Sequence, residues 1–570
     1  MKRDRVFLIS VMLLIGIIAI LGFLKFSING FSVYDGRDED LALKGITGNS
    51  VFGNLLDDLF GNGENEEENV LLSSPTGCTI FVDKNIVPSS CTTYNEDTRS
   101  CPGGTEKAYK TIDGADSVAV AEDVVCVRAG TYTETITPIN SGTANAKITF
   151  KAYPSEECQG TLGTKRANCQ VILSTGSNKG AFVDGDYIRI EGFRFETSAT
   201  NGGIFGIEVR GGRGIEIVNN EITGYTFNAI QFSGVRDSLV RNNYVHHTAE
   251  DPFHGGAVTN VTIEYNTFGT PDYARASALG THADGLDFYG AGTTNGVIIR
   301  YNTIYDNTQL IYFSNFENEI IYNVEIYGNV LYNDKYYSEH NSGSPGIFYD
   351  LTFRSSKSEN LTVHSNTFGF LGKDVKAIQI YGQNANQMKN VKVYNNIFYD
   401  IRGGILTTTP MNIEPAISGV YSDYNLFYNM VPVSGFDAHS ILFTNPLFVS
   451  YTGESSIEFD FHLQQTSPAI DKWTTGQAIN MGLPTLYNDR NGNTRPIDGS
   501  DTDSIAQYDI GAYEYTANIP ICQSGADTIT IDGRVDSNEL SIFVQKYYAN
   551  DGVNINQLSL AIVENLNGAC

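Results

Sequence analysis

A pattern of apolar and polar positions repeats through the middle of the chain. Ile215, Ile217, Asn220 and Ile222 form its first full copy: two alternating apolar residues, two spacers, an asparagine, one spacer and an apolar residue. Alternation with a period of two predicts a short strand with one buried face. The asparagines lie 23 to 37 residues apart, at Asn220, Asn243, Asn266, Asn302, Asn329, Asn366, Asn396 and Asn425.

A repeat of this length predicts a solenoid. One copy cannot bury its own apolar face, so neighbouring copies must stack around a shared core. Stacked strands lie about 4.8 Å apart, so we expect each asparagine amide to hydrogen-bond to the amides of the adjacent coils. The pattern resembles the right-handed parallel β-helix of the pectate-lyase-like superfamily. This resemblance implies an all-β fold with an asparagine ladder, its core at residues 187–432.

A second alternating strand precedes the next copy of the repeat. Clear examples are residues 230–232, 286–288, 311–313 and 378–380. The residues between their apolar positions are Gln231, Asp287, Tyr312 and Gln379. Because alternate side chains of a strand point to opposite faces, we expect these four side chains to form a row on one outer face.

The first 75 residues differ from the repeats in composition. Basic residues at positions 2, 3 and 5 precede nineteen uncharged, mostly apolar residues at 6–24, enough to span a bilayer as a helix. The basic flank predicts a cytoplasmic N-terminus. We therefore expect a membrane anchor over 1–30 in a single-pass cell-membrane protein with its bulk extracellular. A cleaved signal peptide is the alternative, without a clear cleavage site. Residues 31–75 predict a flexible acidic stalk.

The remaining segments predict the two ends of the solenoid and one separate module. Residues 76–186 are similar to the opening coils of secreted β-helix proteins, including chondroitinase-B-like lyases, as in the run at 148–153. Residues 433–516, with the run at 509–515, resemble their closing segment. We expect this segment to cover the open end of the sheets, where unpaired strand edges promote aggregation.

Residues 517–570 resemble a degenerate dockerin half or EF-hand. Asp532 and Glu539 fall at calcium-ligand positions of such a loop. Thr528 and Thr530 stand where the pattern requires carboxylates, so the resemblance implies weak calcium binding. The alternative is a two-helix module that docks to a protein partner.

The charge and two short motifs favour an extracellular protein. The formal net charge is -28, with 65 acidic and 37 basic residues. This balance argues against nucleic acid as a partner, which needs a basic surface, and fits a secreted, solvated surface. Asn260-Val261-Thr262 and Asn360-Leu361-Thr362 are glycosylation sequons, although both asparagines also suit turns.

The chain has eight cysteines and lacks a CxxC or Cys/His zinc spacing, which favours disulfides in an oxidising exterior. Eight cysteines allow 105 pairings. Positions along the chain suggest Cys91 with Cys101, Cys158 with Cys169, and Cys522 with Cys570, with Cys78 and Cys126 remaining.

Candidate chemistry lies in one of the longest insertions, between Asn266 and Asn302. The catalytic candidates there and in the preceding coil are His254, His282, Asp284 and Asp287. By register, His254 falls one coil from both Gln231 and Asp287. The candidates for substrate binding are Glu208, Gln231, Arg275, Tyr289 and Tyr312.

Two reactions on a polysaccharide remain open. Glycoside hydrolysis needs two carboxyl groups, and the pair Asp284 and Asp287 resembles the Asp-Gly-x-Asp strand of polygalacturonase-like glycosidases. Lyase or epimerase chemistry on a uronate needs a base and a cation. His254 or His282 is the candidate base. The candidate cation is Arg275, or a Ca²⁺ ion held by Glu250, Asp251 and Asp284.

The sequence therefore predicts a membrane-anchored, carbohydrate-active or carbohydrate-binding protein that acts on an extracellular polysaccharide. The alternative is a non-catalytic adhesin or coat protein, since a fold does not imply an activity. Asp-Gly before a strand is also a common turn. Arg241, Glu264 and Arg300 share one outward register, which predicts a cross-strand ladder of ion pairs.

Overall fold

The computed structural model describes residues 77–516 except 198–203, 291, 315–319, 334–345, 352–356, 372–375, 383–386, 400–410, 414–416, 430–437, 452–458, 475–486 and 499–504. The predicted anchor, stalk and C-terminal module lie outside these residues, together with Asp532, Glu539, Cys522 and Cys570. Over the described part of the chain, no helix is both long and apolar enough to cross a membrane.

The coils contribute strands to three sheets, which are parallel except where Ser90–Tyr94 pairs antiparallel with Glu106–Tyr109. One coil runs through Glu216–Val218 in sheet 1, Glu221–Thr223 in sheet 2 and Ile230–Ser233 in sheet 3. The chain then returns to sheet 1 at Arg236–Arg241, which pairs in parallel with Glu216–Val218. This winding is the predicted parallel β-helix. Its right-handedness remains a prediction from the handedness of parallel crossovers.

The strands of the three sheets, in stacking order, are as follows. Sheet 1 contains Ser90–Tyr94, Glu106–Tyr109, Ile80–Val82, Val124–Val127, Ile148–Ala152, Ile188–Glu191, Glu216–Val218, Arg236–Arg241, Thr259–Glu264, Thr294–Arg300, Ile320–Tyr327, Lys357–His364, Met388–Tyr394 and Ile417–Asp423. Sheet 2 contains Gly130–Tyr132, Val171–Ser174, Arg194–Glu196, Glu221–Thr223, Tyr244–His246, Thr267–Gly269, Thr303–Tyr305, Val330–Tyr332, Thr367–Phe368, Ile397–Tyr399 and Leu426–Tyr428. Sheet 3 contains Ala181–Val183, Ile207–Arg210, Ile230–Ser233, Phe253–Gly256, Leu286–Phe288, Ile311–Ser314, Ile347–Leu351, Ile378–Gly382 and Met411–Ile413.

Short elements decorate the coils. Helix α1 spans Ile112–Asp116 and helix α2 spans Tyr273–Leu279. Two antiparallel hairpins follow the last coil, formed by Phe448–Ser450 with Asp460–Leu463 and by Tyr487–Asn488 with Thr494–Arg495. The described fold is therefore all-β apart from two short helices.

The asparagine ladder is confirmed at all eight positions. From Asn220 to Asn425, the amide Nδ2 of each asparagine donates to Oδ1 of the next at 2.9–3.2 Å. Each is fully buried. Asn302 Nδ2 also donates to Ile263 O at 2.8 Å, and its Oδ1 accepts the backbone N–H of Asn266 at 2.9 Å. These bonds satisfy amides whose burial would otherwise be costly.

Aromatic rings fill the interior behind sheet 3. Phe288 stacks on Phe313 with ring centroids 4.6 Å apart, and Phe313 stacks on Tyr349 at 4.4 Å. Such offset stacks contribute beyond the area they bury. The inward residues of sheet 3 therefore hold its outward residues in fixed register.

The closing segment packs mainly along the side of the solenoid. Ile441 forms a single bridge to Leu426 at the last coil. The rest of the described segment contacts earlier coils: Gly511 N donates to Asn395 O at 3.0 Å, and the buried Trp473 lies 5.3 Å from the ring of Tyr394. Ile441 also exchanges backbone hydrogen bonds with Asn425 and Phe427 of the last coil. Coverage of the open end by the whole segment stays a prediction.

Three predicted disulfides are present, Cys78–Cys126, Cys91–Cys101 and Cys158–Cys169. All three lie in the opening coils or just after them. The ion-pair ladder is also confirmed, since Glu264 lies 3.5 Å from Arg241 and 2.6 Å from Arg300. Both arginine side chains are partly exposed, so each pair contributes less than about 1 kcal/mol.

We predict that Asn302→Ala lowers the free energy of unfolding by about 3 kcal/mol, because it leaves buried backbone groups of two coils without partners. Urea denaturation of the full chain measures this change. The matched control is Asn323→Gly, which removes an exposed amide at a positive φ of 56° and should stay within about 0.5 kcal/mol of wild type. Equal losses in both variants would contradict a special role for the buried ladder.

Candidate functional site

The outward residues of sheet 3 form the predicted row. Glu208, Gln231, His254, Asp287 and Tyr312 are direct neighbours on five successive strands. With strands about 4.8 Å apart, the row is about 19 Å long. Period-two alternation was sufficient to predict this register.

The row is the floor of a groove with a volume of about 830 Å³. Polar and aromatic side chains converge on it from sheet 3 and from the loops before and after its strands. The lining residues are Phe205, Glu208, Arg210, Phe227, Asn228, Gln231, Ser233, Glu250, Asp251, His254, His282, Asp287, Tyr289, Gln309, Tyr312, Ser314, Phe348 and Asp350.

His254 lies at the centre of the groove between two carboxylates. Its Nδ1 is 2.7 Å from Asp287 Oδ2 and 3.7 Å from Asp251 Oδ2. Burial opposes protonation of the ring, but the hydrogen bonds and charges of Asp251 and Asp287 outweigh it and raise the pKa of His254 to about 10. The imidazole is therefore protonated at neutral pH and donates to Asp287.

Asp284 lies beneath the groove and does not line it. Its side chain is fully buried, its backbone N–H donates to Asp251 Oδ1 at 2.9 Å, and its Oδ1 accepts the backbone N–H of Gln309 at 2.9 Å. Burial raises its pKa. These bonds give Asp284 a positioning role for Asp251 and the loop of Gln309.

His282 is the exposed partner of Asp284, with Nδ1 3.2 Å from Asp284 Oδ2. The hydrogen bond to Asp284 raises the pKa of His282 to about 9 against the opposing effect of burial. Its ring lines the outer edge of the groove. His282 thus contributes positive charge to the groove at neutral pH.

Arg275 does not reach the groove. It belongs to helix α2, where Asp272 caps the first turn and lies 3.3 Å from Arg275 Nε. Arg275 Nη1 donates to Gly224 O at 2.6 Å. The sequence placed Arg275 correctly in the insertion, but the helix directs it away from the row.

Glu250 is the main groove residue that sequence reasoning did not assign to catalysis. It lines the groove, and its Oε2 is buried without a hydrogen-bond partner among the described residues. Burial raises the pKa of Glu250 to about 7, and the negative charges of Asp284 and Asp287 add to this effect against that of His282. The Glu250-Asp251 pair just before the strand of His254 was the available sequence signal.

Two aromatic pairs flank the titratable residues. Phe205 and Phe227 meet edge to face at 4.9 Å near one end, and Tyr312 and Phe348 lie 5.5 Å apart near the other. Tyr289 lies at the rim and is 36% exposed. Of these rings, the sequence predicted only Tyr289 and Tyr312.

Glu208 and Gln231 have protein partners in the groove. Glu208 is ion-paired with Lys179 and with Arg210, the latter at 2.6 Å. Gln231 accepts a hydrogen bond from Asn228 Nδ2 at 2.6 Å and donates to Ser233 Oγ at 3.0 Å. Both line the groove as predicted.

Histidine and carboxylate side chains form two sets around Asp251, one with His282 and Asp284 and one with His254 and Asp287, with ligand atoms within 4.8 Å of one another. Calcium takes six to eight oxygen ligands. Each set offers three donors, one of them a histidine nitrogen, so calcium at either set would need further oxygen ligands, and its binding stays a prediction.

No protein-family model matches this sequence, and no curated protein matches it. Solved structures match it in fold. Pectate lyase Pel9A is 16% identical with a TM-score of 0.45, over 77% of this chain and 97% of that chain. The PL6 family alginate lyase AlyGC is 12% identical with a TM-score of 0.32, over 72% and 58%.

A surface adhesin also matches in fold. PfbA, a surface adhesin of Streptococcus pneumoniae, is 14% identical with a TM-score of 0.36, over 56% of this chain and 79% of that chain. Similarities at this level describe a shared fold and assign no activity to this chain.

We predict that Asp287→Asn lowers the pKa of His254 below its value of about 10, because one of the two carboxylates that favour the charged ring is lost. A pH titration of the ring carbon signals by NMR, with His254 assigned by substitution, measures the pKa. Asp460→Asn alters the separate pair of Asp460 and His462 and should leave His254 unchanged. A wild-type midpoint near 6.5 would contradict the paired geometry.

Proposed function

We propose that this protein hydrolyses glycosidic bonds of an extracellular polysaccharide that binds along the groove of sheet 3. The observation that carries the proposal is a pair of groove carboxyls in contrasting environments, Glu250 and Asp287. Glycoside hydrolysis requires such a pair, one carboxyl protonated and one charged.

Glu250 is the proposed general acid. With its pKa raised to about 7 by burial, it keeps its proton near neutral pH and can give it to the glycosidic oxygen. Glu250 lines the groove, and its Oε2 has no hydrogen-bond partner among the described residues.

Asp287 is the proposed second carboxyl. Its Oδ2 accepts a hydrogen bond from protonated His254 at 2.7 Å, while Oδ1 is buried without a partner in the described structure. In the overall reaction, the glycosidic C–O bond breaks as Glu250 protonates its oxygen. In an inverting reaction, water forms the new bond to the anomeric carbon and its proton leaves to Asp287. In a retaining reaction, Asp287 bonds to the anomeric carbon first, and water then displaces it while its proton leaves to Glu250. Whether Asp287 first bonds to the sugar is decided by the anomeric form of the released product.

The charge of the groove favours an uncharged glycan over a uronate. Its acidic lining residues are Glu208, Glu250, Asp251, Asp287 and Asp350, and its basic ones are Arg210, His254 and His282. All three basic side chains lie beside carboxylates. A lyase needs a cation for the uronate carboxylate, and these cations are already neutralised, so hydrolysis is the better match.

The aromatic pairs support binding of a sugar chain along the row. Phe205 with Phe227 and Tyr312 with Phe348 flank the two carboxyls. Aromatic faces provide large apolar contact area at fixed positions, which suits the faces of sugar rings. The sugar chain therefore extends past the reacting bond on both sides, as cleavage within a polysaccharide requires.

We further propose that the solenoid works outside the cell and is attached to the cell membrane through the apolar segment at 6–24. Three disulfides in the described residues support an oxidising compartment. The net charge of -28 supports a solvated surface and not a nucleic-acid partner.

We predict that Glu250→Gln and Asp287→Asn each lower kcat/KM by about 10²-fold or more, because each removes a group that moves a proton in the reaction. Release of reducing ends from a panel of uncharged polysaccharides measures the rate. Asp460→Asn, a carboxylate outside the groove that also pairs with a histidine, is the matched control and should retain full activity.

Other outcomes of the same panel identify the alternatives. Unsaturated products from uronate polymers would indicate a lyase. Equal binding of a glycan by wild type and Asp287→Asn, without cleavage by either, would indicate an adhesin and exclude the hydrolase.

We also predict that activity falls as pH rises through about 7, where Glu250 loses its proton. The charge of His282 lowers the pKa of Glu250, so His282→Asn should raise that pKa and move the alkaline limb to higher pH. The side chain of His282 is 64% exposed, so this substitution should not disturb folding. A pH–rate profile measures the limb, and a limb that stays in place would argue against Glu250 as the acid.

A further inference from the structure

A second row of asparagines lies on the exposed side of sheet 1, in the first half of its strands. We define this outer asparagine row as Asn260, Asn323, Asn360 and Asn390, all exposed. Each has a positive φ, between 52° and 62°. Asparagine tolerates this left-handed conformation better than other residues with a side chain beyond Cβ, which explains the residue type at these positions.

Hydrogen bonds join the members of this row through one amide hydrogen each. Asn360 Nδ2 donates to Asn323 Oδ1 at 2.8 Å, and Asn390 Nδ2 donates to Asn360 Oδ1 at 3.0 Å. Asn260 Nδ2 donates to Asp237 Oδ1 at 3.0 Å. An amide nitrogen has two hydrogens, and these bonds use one hydrogen of Nδ2 in each of the exposed residues Asn260 and Asn360.

The row contains every glycosylation sequon of the chain. Asn-x-Ser/Thr occurs twice in the 570 residues, at Asn260 with Thr262 and at Asn360 with Thr362. The strand register relates Asn260 and Asn360 through three coil steps, or about 14 Å. In the first of the two intervening coils, Gly296 adjoins Asn260, and a Cβ there would lie 2.6 Å from Asn260 Oδ1. Asn260 therefore has no side chain beside it at that coil.

We infer that Asn260 and Asn360 are acceptors for N-linked glycans. In the transfer, Nδ2 bonds to the anomeric carbon of a lipid-linked oligosaccharide diphosphate. The lipid diphosphate leaves, and the displaced amide proton goes to a base of the transferase. The glycosylated nitrogen keeps one hydrogen, which still donates to Asp237 or Asn323, so the modification preserves the outer row. This inference does not depend on the hydrolase proposal.

The other two members of the row are internal controls. Asn323 and Asn390 share the exposed position and the positive φ, but Glu325 and Lys392 stand two residues later in place of a hydroxyl residue. Because the sequon and not the backbone conformation selects the acceptor, Asn260 and Asn360 are modified, and Asn323 and Asn390 are not.

The test is peptide mass spectrometry on the full chain purified from its own cells, before and after enzymatic glycan removal, which converts a glycosylated asparagine to aspartate. We expect glycan at Asn260 and Asn360 and an unmodified Asn390. Thr262→Ala and Thr362→Ala should each remove one glycan and retain the fold, because both threonines are half-buried residues between inward-facing neighbours of their strands. Lys392→Thr should add a glycan at Asn390. Unmodified Asn260 and Asn360 in the wild-type chain would overturn the inference and leave both residues with a structural role alone.

Discussion

The buried amide of each ladder asparagine constrains the rest of the structure. Such an amide must find partners, and its partners are the amide and backbone of the adjacent coils. A shift of one residue in any coil would break two links of the ladder at once. The ladder therefore fixes the register of sheet 1 and sheet 2 at every bend, and through them the register of sheet 3. The groove inherits its geometry from bonds on the opposite side of its coils.

This constraint explains why so much was predictable. Strand alternation gives the face of each residue, and the asparagine gives the phase of each coil. Together they were enough to bring Gln231, His254 and Asp287 into one row from positions 56 residues apart along the chain. The outward ion pairs of Glu264 followed in the same way. The pairing of the three described disulfides was predicted from closeness along the chain for two of them and from the remaining pair of cysteines for the third.

The rest was not predictable because it depends on loops between the sheets. Loop side chains do not follow a periodic pattern. The spacing of residues along the chain therefore could not predict that Glu250 lines the groove or that Phe205 pairs with Phe227. Arg275 and Asp284 illustrate the converse: both are in the predicted insertion, but backbone groups of Gly224 and Gln309 bind them. The closing segment also depended on tertiary packing, since its rings found partners on the flank.

The carboxylates of the groove are costly to the fold. Asp251 and Asp287 in the groove, and Asp284 beneath it, are each more than nine-tenths buried, and burial raises the pKa of Asp251 and Asp284 because it disfavours their charged forms. A cluster selected for stability would satisfy every buried oxygen. Here Glu250 Oε2 and Asp287 Oδ1 have no partner in the described residues, and both belong to groove-lining side chains. A groove-lining carboxyl with an oxygen that the fold leaves unsatisfied is a candidate for contact with a ligand, which is why the proposed chemistry rests on these two groups.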